Sequence, residues 1–434
     1  MRRFAPLLCA ATFLLAAPNL AEAQGWLGDR EHEAGPGLRV GNLEFHPGLG
    51  AEVGYDSNVY YSDANEQASG ILRITPHLRL STLSQQRSED GGEDDTPPTL
   101  NFDFGVFAAI NHFFATAART DADIGADLTL DILPERPFSI SITDTLSRSI
   151  KPFTEPGAID NNYAHINNNA GVRFSFGPEG GVLRGNVGYN FGFTYFEGAT
   201  FQYANAFDHD INAGASFKFL PQTAIVYDFN TYMTSYPNDT GATTLRSDSV
   251  RLRSRLGVNG AITNNVSFLF MAGYAGGFYE VGDEYDDFVA QTELRFSIGE
   301  NIKVPIGYER DYQRSVSGNF YRRDRGYASI EMLLGGTVLV GLDAGVGLYD
   351  FGTLLDASGM PMGTAGDGQR EDIRVDASLF AEWRIRSWLA INGSLDYDGD
   401  FTDFEFANVG ATGPVFDPAG YNKFQVFGGV RAFF

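Results

Sequence analysis

Alternation between apolar and polar residues runs through nearly the whole chain and restricts its fold more than any other feature. In residues 122–133 one parity is apolar and the other mostly acidic: Ile124, Ala126, Leu128, Leu130 and Ile132 alternate with Asp123, Asp127, Thr129 and Asp131. A period of two residues is that of a β-strand with one face in water. Eighteen such runs follow one another, at 42–56, 70–83, 100–112, 122–133, 138–147, 163–176, 182–195, 206–219, 224–234, 248–261, 266–279, 288–298, 302–314, 322–334, 337–349, 372–385, 389–398 and 422–434.

Most of these runs are long enough to cross a lipid bilayer, which takes roughly 9–11 residues for a tilted strand. Beyond residue 23 there is no apolar stretch of the roughly 18 residues that a transmembrane helix requires. In lipid every backbone donor must be paired, so a membrane-spanning sheet has to close on itself. We therefore predict an all-β fold, a transmembrane antiparallel up-and-down β-barrel of about 18 strands, with 16–18 as the range.

The composition agrees with a wall that faces lipid on one side and water on the other. The 434 residues include 36 Phe, 20 Tyr and 51 Gly, and the formal net charge is −24 at pH 7. Such an acidic chain is a poor partner for nucleic acid, and we expect none. A simpler role of the charge is to keep the external loops soluble.

The N-terminus has the three parts of a secretory signal peptide. Residues 1–3 are Met-Arg-Arg, residues 7–15 are mostly apolar, and Ala-Glu-Ala at 21–23 fits a small-x-small cleavage site. The only cysteine, Cys9, lies in this segment, so disulfides and thiol chemistry are not expected elsewhere. We assign residues 1–23 to the signal peptide, 24–41 to a short periplasmic segment and 42–434 to the barrel. Residues 24–41 are too few for a plug domain.

The last ten residues belong to the eighteenth run, alternate strictly and end on an aromatic side chain. Val426, Val430 and Phe434 share the apolar parity, whereas Gln425 and Arg431 occupy the other. This terminus looks like the signal that the barrel-assembly machinery reads. It predicts the outer membrane of a Gram-negative bacterium as the location, with outer-membrane lipid and the assembly machinery as partners.

The connections between the runs alternate in length. Those at 134–137, 177–180, 221–222 and 335–336 are short, whereas those at 148–162, 235–247, 350–371 and 399–421 are longer. Short periplasmic turns and long external loops are usual in such barrels, and an even strand number puts both termini in the periplasm.

Two features depart from this regular pattern. The acidic segment 84–99 falls where a short turn is expected, and we interpret it as a disordered insertion, with a calcium-binding loop as the alternative. Pro47, Pro76 and Pro305 lie inside predicted strands, where each removes a ladder donor. Bulges or shifted strand boundaries are expected at these prolines.

No motif for catalysis, metal binding or cofactor binding stands out. The chain has six histidines but no H-E-x-x-H run, Cys/His cluster or phosphate-binding loop. Serine, aspartate and asparagine are so frequent that a Ser-His-Asp spacing would arise by chance. We expect no enzymatic activity, no metal and no cofactor.

The polar parity of the strands would face the lumen, where a function would be encoded. Candidate lumen-lining residues on the later strands are Arg251, Arg253, Arg255, Glu293, Arg295, Lys303, Glu309, Asp311, Arg323, Arg325 and Tyr327, and acids on the early strands are Asp103, Asp123, Asp127 and Asp131. A basic ladder opposite an acidic one would create a transverse field suited to a polar or charged polymer or sugar. Alternatively, these groups pair with one another and only keep a water-filled barrel open.

Two early segments resemble a family of bacterial outer-membrane β-barrel porins. They are 48–60, Gly-Leu-Gly-Ala-Glu-Val-Gly-Tyr-Asp-Ser-Asn-Val-Tyr, and 74–80, Ile-Thr-Pro-His-Leu-Arg-Leu. Members of that family are often linked to the assembly of secreted or capsular polysaccharide. The resemblance implies a conduit for such a polymer, with polysaccharide or polysaccharide-export components as partners, and makes Pro76 a feature of the family.

These observations predict an outer-membrane channel or porin, a conduit for polysaccharide export or for the diffusion of polar solutes. The alternative is a structural or adhesive surface barrel without a transport function. That alternative is favoured if loops 148–162, 350–371 or 399–421 fill the lumen.

Overall fold

The structure, a computed structural model, describes residues 37–62, 66–82, 98–115, 119–151, 164–178, 180–238, 246–299, 301–356, 358–363, 366–410 and 413–434. All of these residues belong to one compact unit, Gly35–Phe434. The signal peptide 1–23 and most of the segments 24–41 and 84–99 lie outside the described residues, so their assignments stay predictions.

Eighteen antiparallel strands close into a barrel, which confirms the predicted fold and strand number. Each barrel strand pairs with the next one along the chain, and the last barrel strand pairs with both the one before it and the first. The strands are β1 (Leu38–Val40), β2 (Leu43–Asp56), β3 (Ser69–Thr82), β4 (Leu100–Phe113), β5 (Arg119–Ile132), β6 (Phe138–Ser149), β7 (His165–Phe176), β8 (Leu183–Phe196), β9 (Ala206–Leu220), β10 (Thr223–Ser235), β11 (Ser249–Thr263), β12 (Val266–Tyr279), β13 (Tyr285–Ile298), β14 (Ile302–Arg314), β15 (Phe320–Leu334), β16 (Val338–Phe351), β17 (Glu371–Arg386), β18 (Leu389–Phe401), β19 (Glu405–Gly410), β20 (Gly413–Pro418) and β21 (Tyr421–Phe433).

Three of these strands lie outside the barrel wall. β1 pairs with the start of β2, and β19 and β20 form a hairpin in the connection between β18 and β21. A short 3-10 helix, Ala199–Ala204, lies in the connection between β8 and β9. No helix in the described part of the chain is long and apolar enough to cross a membrane.

The registers between strands determine the tilt and the width of the barrel. When paired residues are followed once around the wall, from β2 back to β2, the position along β2 shifts by about 22 residues, which is the shear of the barrel. For 18 strands this shear corresponds to a strand tilt of roughly 40° and leaves an interior wider than side chains alone can fill. The closing seam runs from Gly48 opposite Phe433 to Asp56 opposite Gln425.

The outward face of the barrel is an apolar belt. Large apolar side chains are exposed at alternate positions of successive strands, among them Leu49, Val53, Ile74, Leu100, Ile110, Ile142, Phe174, Val187, Phe217, Leu256, Phe270, Phe288, Ile306, Leu342, Leu379, Ile391 and Val430. In water this surface would be a large aggregation-prone patch. Against lipid it is the expected exterior of a transmembrane barrel.

The two ends of the barrel differ in the length of their connections. At the end that carries Leu43 and Phe433, strands are joined by residues 221–222, 264–265 or 387–388, whereas residues 352–370 and 402–420 connect strands at the other end. We call these the turn end and the loop end. In outer-membrane barrels the turn end faces the periplasm and the loop end the exterior.

The three prolines inside strands are accommodated without bulges, contrary to expectation. On either side of Pro76 the β3–β4 ladder keeps one register, from Ile74 opposite Ile110 to His77 opposite Phe107. Around Pro305 the β14–β15 ladder likewise resumes in the same register. Each proline therefore interrupts the ladder only locally, and no shift of the predicted strand boundaries is needed to accommodate it.

Several strands begin closer to the loop end than the alternation predicted, β13 and β15 among them. β13 starts at Tyr285, not residue 288, and β15 starts at Phe320, not residue 322. On β15 the missed residues are Phe320 and Tyr321, which are both aromatic, so apolar–polar alternation does not reach them. Arg322, the next residue on the outward parity, pairs with Asp324 at 3.1 Å and with Asp350 at 3.0 Å. An apolar–polar pattern cannot mark a strand where the residues of both faces are of the same kind.

The carboxylate of Asp144 faces outward in the middle of a strand. Asp144 of β6 lies opposite Leu128 and Ala170, which are outward positions of β5 and β7. Its carboxylate accepts a hydrogen bond of 2.7 Å from Nδ2 of Asn168. Charge on the lipid face destabilises a barrel most near the membrane centre.

Replacing Asp144 with leucine is expected to stabilise the barrel by about 1 kcal/mol, since a carboxylate would leave the lipid face. Urea unfolding in phospholipid vesicles measures this change. Asp127→Leu is the matched control, because Asp127 lies on the neighbouring strand but faces inward, and it should give no gain. A loss of stability in Asp144→Leu would contradict the assignment of this face to lipid.

Candidate functional site

The lumen is hydrated toward the turn end. Lys303, Glu331 and Asp343 occupy inward-facing positions on three successive strands, and all three are exposed to solvent. An inward-facing charged side chain can be exposed only if water fills the space beside it. The interior of the barrel is therefore an aqueous space in this region.

The loop end is narrower because connections pack inward against the wall. Leu354, Phe404 and Phe406 form a buried cluster with Tyr349 and Phe351 at the end of β16. A second buried cluster brings Val316, in the connection between β14 and β15, against Phe196, Phe201 and Ala204. The predicted loop segments 350–371 and 399–421 thus cover part of the mouth. The described residues of these segments that are buried in this cluster contact the wall at its loop end.

The three arginines of β11 all face inward, and each has a partner on the same side of the barrel. Arg255 forms a bidentate pair with Asp228 of β10, with N–O distances of 2.7–3.1 Å. Arg253 Nη1 lies 2.5 Å from Asp311 of β14. Arg251 donates to the Thr234 hydroxyl at 3.2 Å.

Charges on β13 to β15 are also neutralised locally. Arg323 pairs with Glu309 at 2.8 Å. Arg325 reaches Asp376 of β17 at 2.6 Å. Glu293 accepts hydrogen bonds from Arg295 and from the Tyr327 hydroxyl, the latter at 2.6 Å. Lys303 is the member of the predicted basic set that is exposed near the turn end.

The acidic residues of the early strands face inward as well, and most of them also have partners nearby. Asp103 pairs with Arg79 at 2.8 Å, and Asp127 lies 4.0 Å from the same arginine. Asp123 accepts from Asn111 at 3.0 Å, and Asp131 is half-buried near the turn end. The fifteen candidate residues thus share the inward parity. The arginines pair with acids on their own side, as in the alternative of local pairing, and the expected transverse field stays a prediction.

A hydrogen-bonded chain of polar residues crosses the closing seam, and sequence reasoning did not identify it. Asn392 of β18 donates to Glu52 of β2, and Glu52 pairs with Arg73 of β3 at 3.4 Å. Arg73 donates to Asn111 at 2.9 Å, and Asn111 donates to Asp123. All five side chains are buried. Their signal in the sequence is only that they occupy the polar parity.

Next to this chain, Lys423 links the first and last barrel strands. Its ammonium lies 3.0 Å from Asp56 Oδ2 and 3.7 Å from the centre of the Tyr61 ring. Gln425 donates to the same carboxylate at 2.7 Å. Beyond β6, burial lowers the pKa of Lys151, which lines the small cavity beside Asp56 and Asp123.

A compact cluster of four charges lies at the loop end beneath the inward-packed connections; we call it the mouth cluster. It consists of Arg370, Asp372, Arg374 and Asp400, all buried. Arg370 makes a bidentate pair with Asp372 at 2.7 and 2.9 Å, and Arg374 lies 3.0 Å from Asp400. The Arg370 guanidinium also lies over the Phe351 ring, 4.5 Å from its centre. Two positive and two negative charges thus anchor the connections to the wall.

Within the described residues, no group of three or more histidine, cysteine, aspartate or glutamate side chains is arranged to hold a metal ion.

Comparisons with known proteins give structural similarity without close sequence relatives. No protein-family model and no curated protein sequence matches the chain. Among solved structures, the outer membrane protein OpdK of Pseudomonas aeruginosa aligns with a TM-score of 0.46 at 9% identity, covering 90% of this chain and 99% of that one. OccK5 (OpdH) of the same organism aligns with a TM-score of 0.46 at 10% identity, covering 90% of this chain and 98% of that one. An anion-selective porin from Comamonas acidovorans aligns with a TM-score of 0.38 at 13% identity, covering 90% of this chain and 99% of that one.

At such identities no residue role can be transferred, so the site has to be interpreted from its own geometry. A closed antiparallel barrel with an apolar exterior and a hydrated polar interior is the architecture of outer-membrane proteins. The chain is an integral outer-membrane barrel.

Proposed function

We propose that the protein is a channel through which small polar solutes cross the outer membrane. The observation that carries the proposal is the exposure of Lys303, Glu331 and Asp343 on the inward face. A barrel closed by 18 strands is wide enough for a water-filled lumen. The inward ion pairs keep that lumen polar without leaving buried charge uncompensated.

The alternative of a purely structural or adhesive barrel finds less support. It would be favoured by connections that fill the lumen. Leu354, Phe404 and Val316 are buried against the wall only at the loop end. A narrowed mouth above a hydrated lumen suits a selective channel.

A conduit for polysaccharide export is a finer hypothesis that rests on the resemblance of segments 48–60 and 74–80. The narrowed mouth favours single solutes or a thin neutral chain over a bulky charged polymer. The role in export, and export components as partners, stay predictions.

The purified protein in planar lipid bilayers is expected to give discrete conductance steps, because a hydrated lumen carries ions when a voltage is applied. A preparation denatured by boiling is the control and should be silent. Folded protein that stays silent at all voltages would contradict the channel proposal.

A further inference from the structure

A small cavity lies at the loop end, where the first and last barrel strands meet the connection that follows β6; we call it the seam cavity. Its volume is about 30 Å³. Such a volume holds one or two water molecules or a single monatomic ion. The charged residues that line it are the acids Asp56 and Asp123 and the bases Arg73, Arg119, Lys151 and Lys423.

The carboxylates that line the seam cavity already accept hydrogen bonds from neighbouring groups. Asp56 accepts one from the Gln425 amide at 2.7 Å. Asp123 accepts one from the Asn111 amide at 3.0 Å and another from the backbone N–H of Ile150 at 2.9 Å. Their acceptor capacity is thus largely used by the wall and by the start of the connection.

Two of the bases that line the seam cavity carry donors without an acceptor. In the described part of the chain, the side-chain amine of Lys151 makes no hydrogen bond or ion pair, although its backbone N–H donates to Ser149. The Arg119 guanidinium lies over the rings of Tyr60 and Phe113, 5.3 and 5.2 Å from their centres, and its Nε is buried without a hydrogen-bond partner. A buried donor left unpaired is costly. The cavity is therefore rich in donors and poor in acceptors.

Two further carboxylates near the seam cavity are outside its lining and are engaged elsewhere. Glu52 pairs with Arg73 at 3.4 Å, and Asp396 accepts from the Ser378 hydroxyl at 2.7 Å. Burial lowers the pKa of Lys151 although these acids surround it. An anion beside the amine would raise that pKa again, because an opposite charge favours the protonated form.

A ligand that fits the seam cavity must be small, negatively charged and able to accept several hydrogen bonds. Carboxylates and phosphate are too large for this volume, and a cation would meet the unpaired ammonium and guanidinium groups. Water has the right size but leaves the positive charges uncompensated. We propose that the seam cavity is a chloride site, in which the Lys151 amine and the Arg119 guanidinium donate to the ion.

A chloride ion in this place would hold the start of the connection after β6 against the closing seam. Ile150, next to Lys151 in the chain, already packs against the buried side chains of Ile71, Phe113 and Phe427. The ion would add an electrostatic link to this apolar contact. The site is independent of the proposed channel function, because it concerns how the wall and the connection hold together.

Urea unfolding of the full-length protein in phospholipid vesicles tests the chloride site when sodium chloride replaces sodium gluconate at constant ionic strength. Gluconate is too large to enter the cavity. The wild-type midpoint is expected to rise with chloride, and the dependence gives a dissociation constant. Lys151→Met should weaken chloride binding roughly tenfold, because a hydrogen bond from a charged donor is lost. Lys303→Met is the matched control, since Lys303 faces the lumen near the turn end, and it should bind chloride like the wild type.

A second measurement needs no variant. In crystals grown with sodium bromide, anomalous scattering locates the heavier halide, and a peak is expected beside Lys151 and Arg119. Three results would overturn the chloride site: a wild-type midpoint that is equal in chloride and gluconate, an equal chloride dependence in the wild type and Lys151→Met, or bromide peaks at exposed basic residues alone.

Discussion

Replacing Phe434 with aspartate is expected to reduce the assembled fraction of the protein by roughly tenfold. This loss is greater than the one expected from folding stability alone, since a carboxylate near the membrane interface costs about 1 kcal/mol. In the structure the Phe434 ring faces outward and stacks on Trp388, with 6.3 Å between ring centres and an angle of 8°. The Phe434 amide donates to the Pro47 carbonyl at 3.0 Å. Such contacts explain only a modest change in stability, so a large defect would mean that the side chain is recognised during assembly.

Heat-modifiable mobility of the protein in isolated outer membranes measures the assembled fraction. Trp388→Ala removes the stacked ring but keeps the aromatic terminus, and should assemble almost normally. Phe434→Tyr should also assemble. If Trp388→Ala were as defective as Phe434→Asp, the stacking and not the terminal signal would explain the result.

Replacing Arg370 with methionine is expected to open the mouth and raise the single-channel conductance severalfold. Removing one member of a buried ion-pair network costs about 3–5 kcal/mol, because its partner is left as an uncompensated buried charge. Here Asp372 and Asp400 would share the single positive charge of Arg374 within the mouth cluster. Release of the connections around Leu354 and Phe404 relieves that imbalance by admitting water.

Two variants distinguish release of the connections from general damage. Arg370→Met/Asp372→Leu leaves the balanced pair of Arg374 and Asp400, so its conductance should return toward that of the wild type. Arg322→Met removes an arginine that faces outward near the same end, and should leave conductance unchanged. A wild-type conductance in Arg370→Met would show that the mouth cluster does not hold the connections in place.

The direction of each lumen side chain was predictable from the sequence, whereas its partner was not. Period-two alternation by itself assigns Arg253 and Asp311 to the inward face. Their pairing depends on the registers of β12 and β13, which lie between them. The register between β11 and β12 places Ala275 opposite Arg253. The alanine side chain is small enough for the Arg253 guanidinium to pass over it toward Asp311.

The mouth cluster shows a second limit of prediction from sequence. Asp372, Arg374 and Asp400 lie on the polar parity of β17 and β18, but Arg370 precedes β17 in a connection without alternation. A loop residue has no periodic pattern that says where it points. Only the inward packing of that connection brings Arg370 to the cluster.

The closing seam has a consequence for how the protein is made. Asp56 lies opposite Gln425, and Glu52 pairs through Asn392 with a strand from the far end of the chain. Contacts over such sequence separations form late and slowly, because the loop they close is long. Until β21 arrives, the backbone groups of β2 lack one set of partners, and such an edge is not tolerated in lipid. Membrane entry and ring closure are therefore one event, and a chain truncated before its final strand has no stable half-inserted state in which to wait.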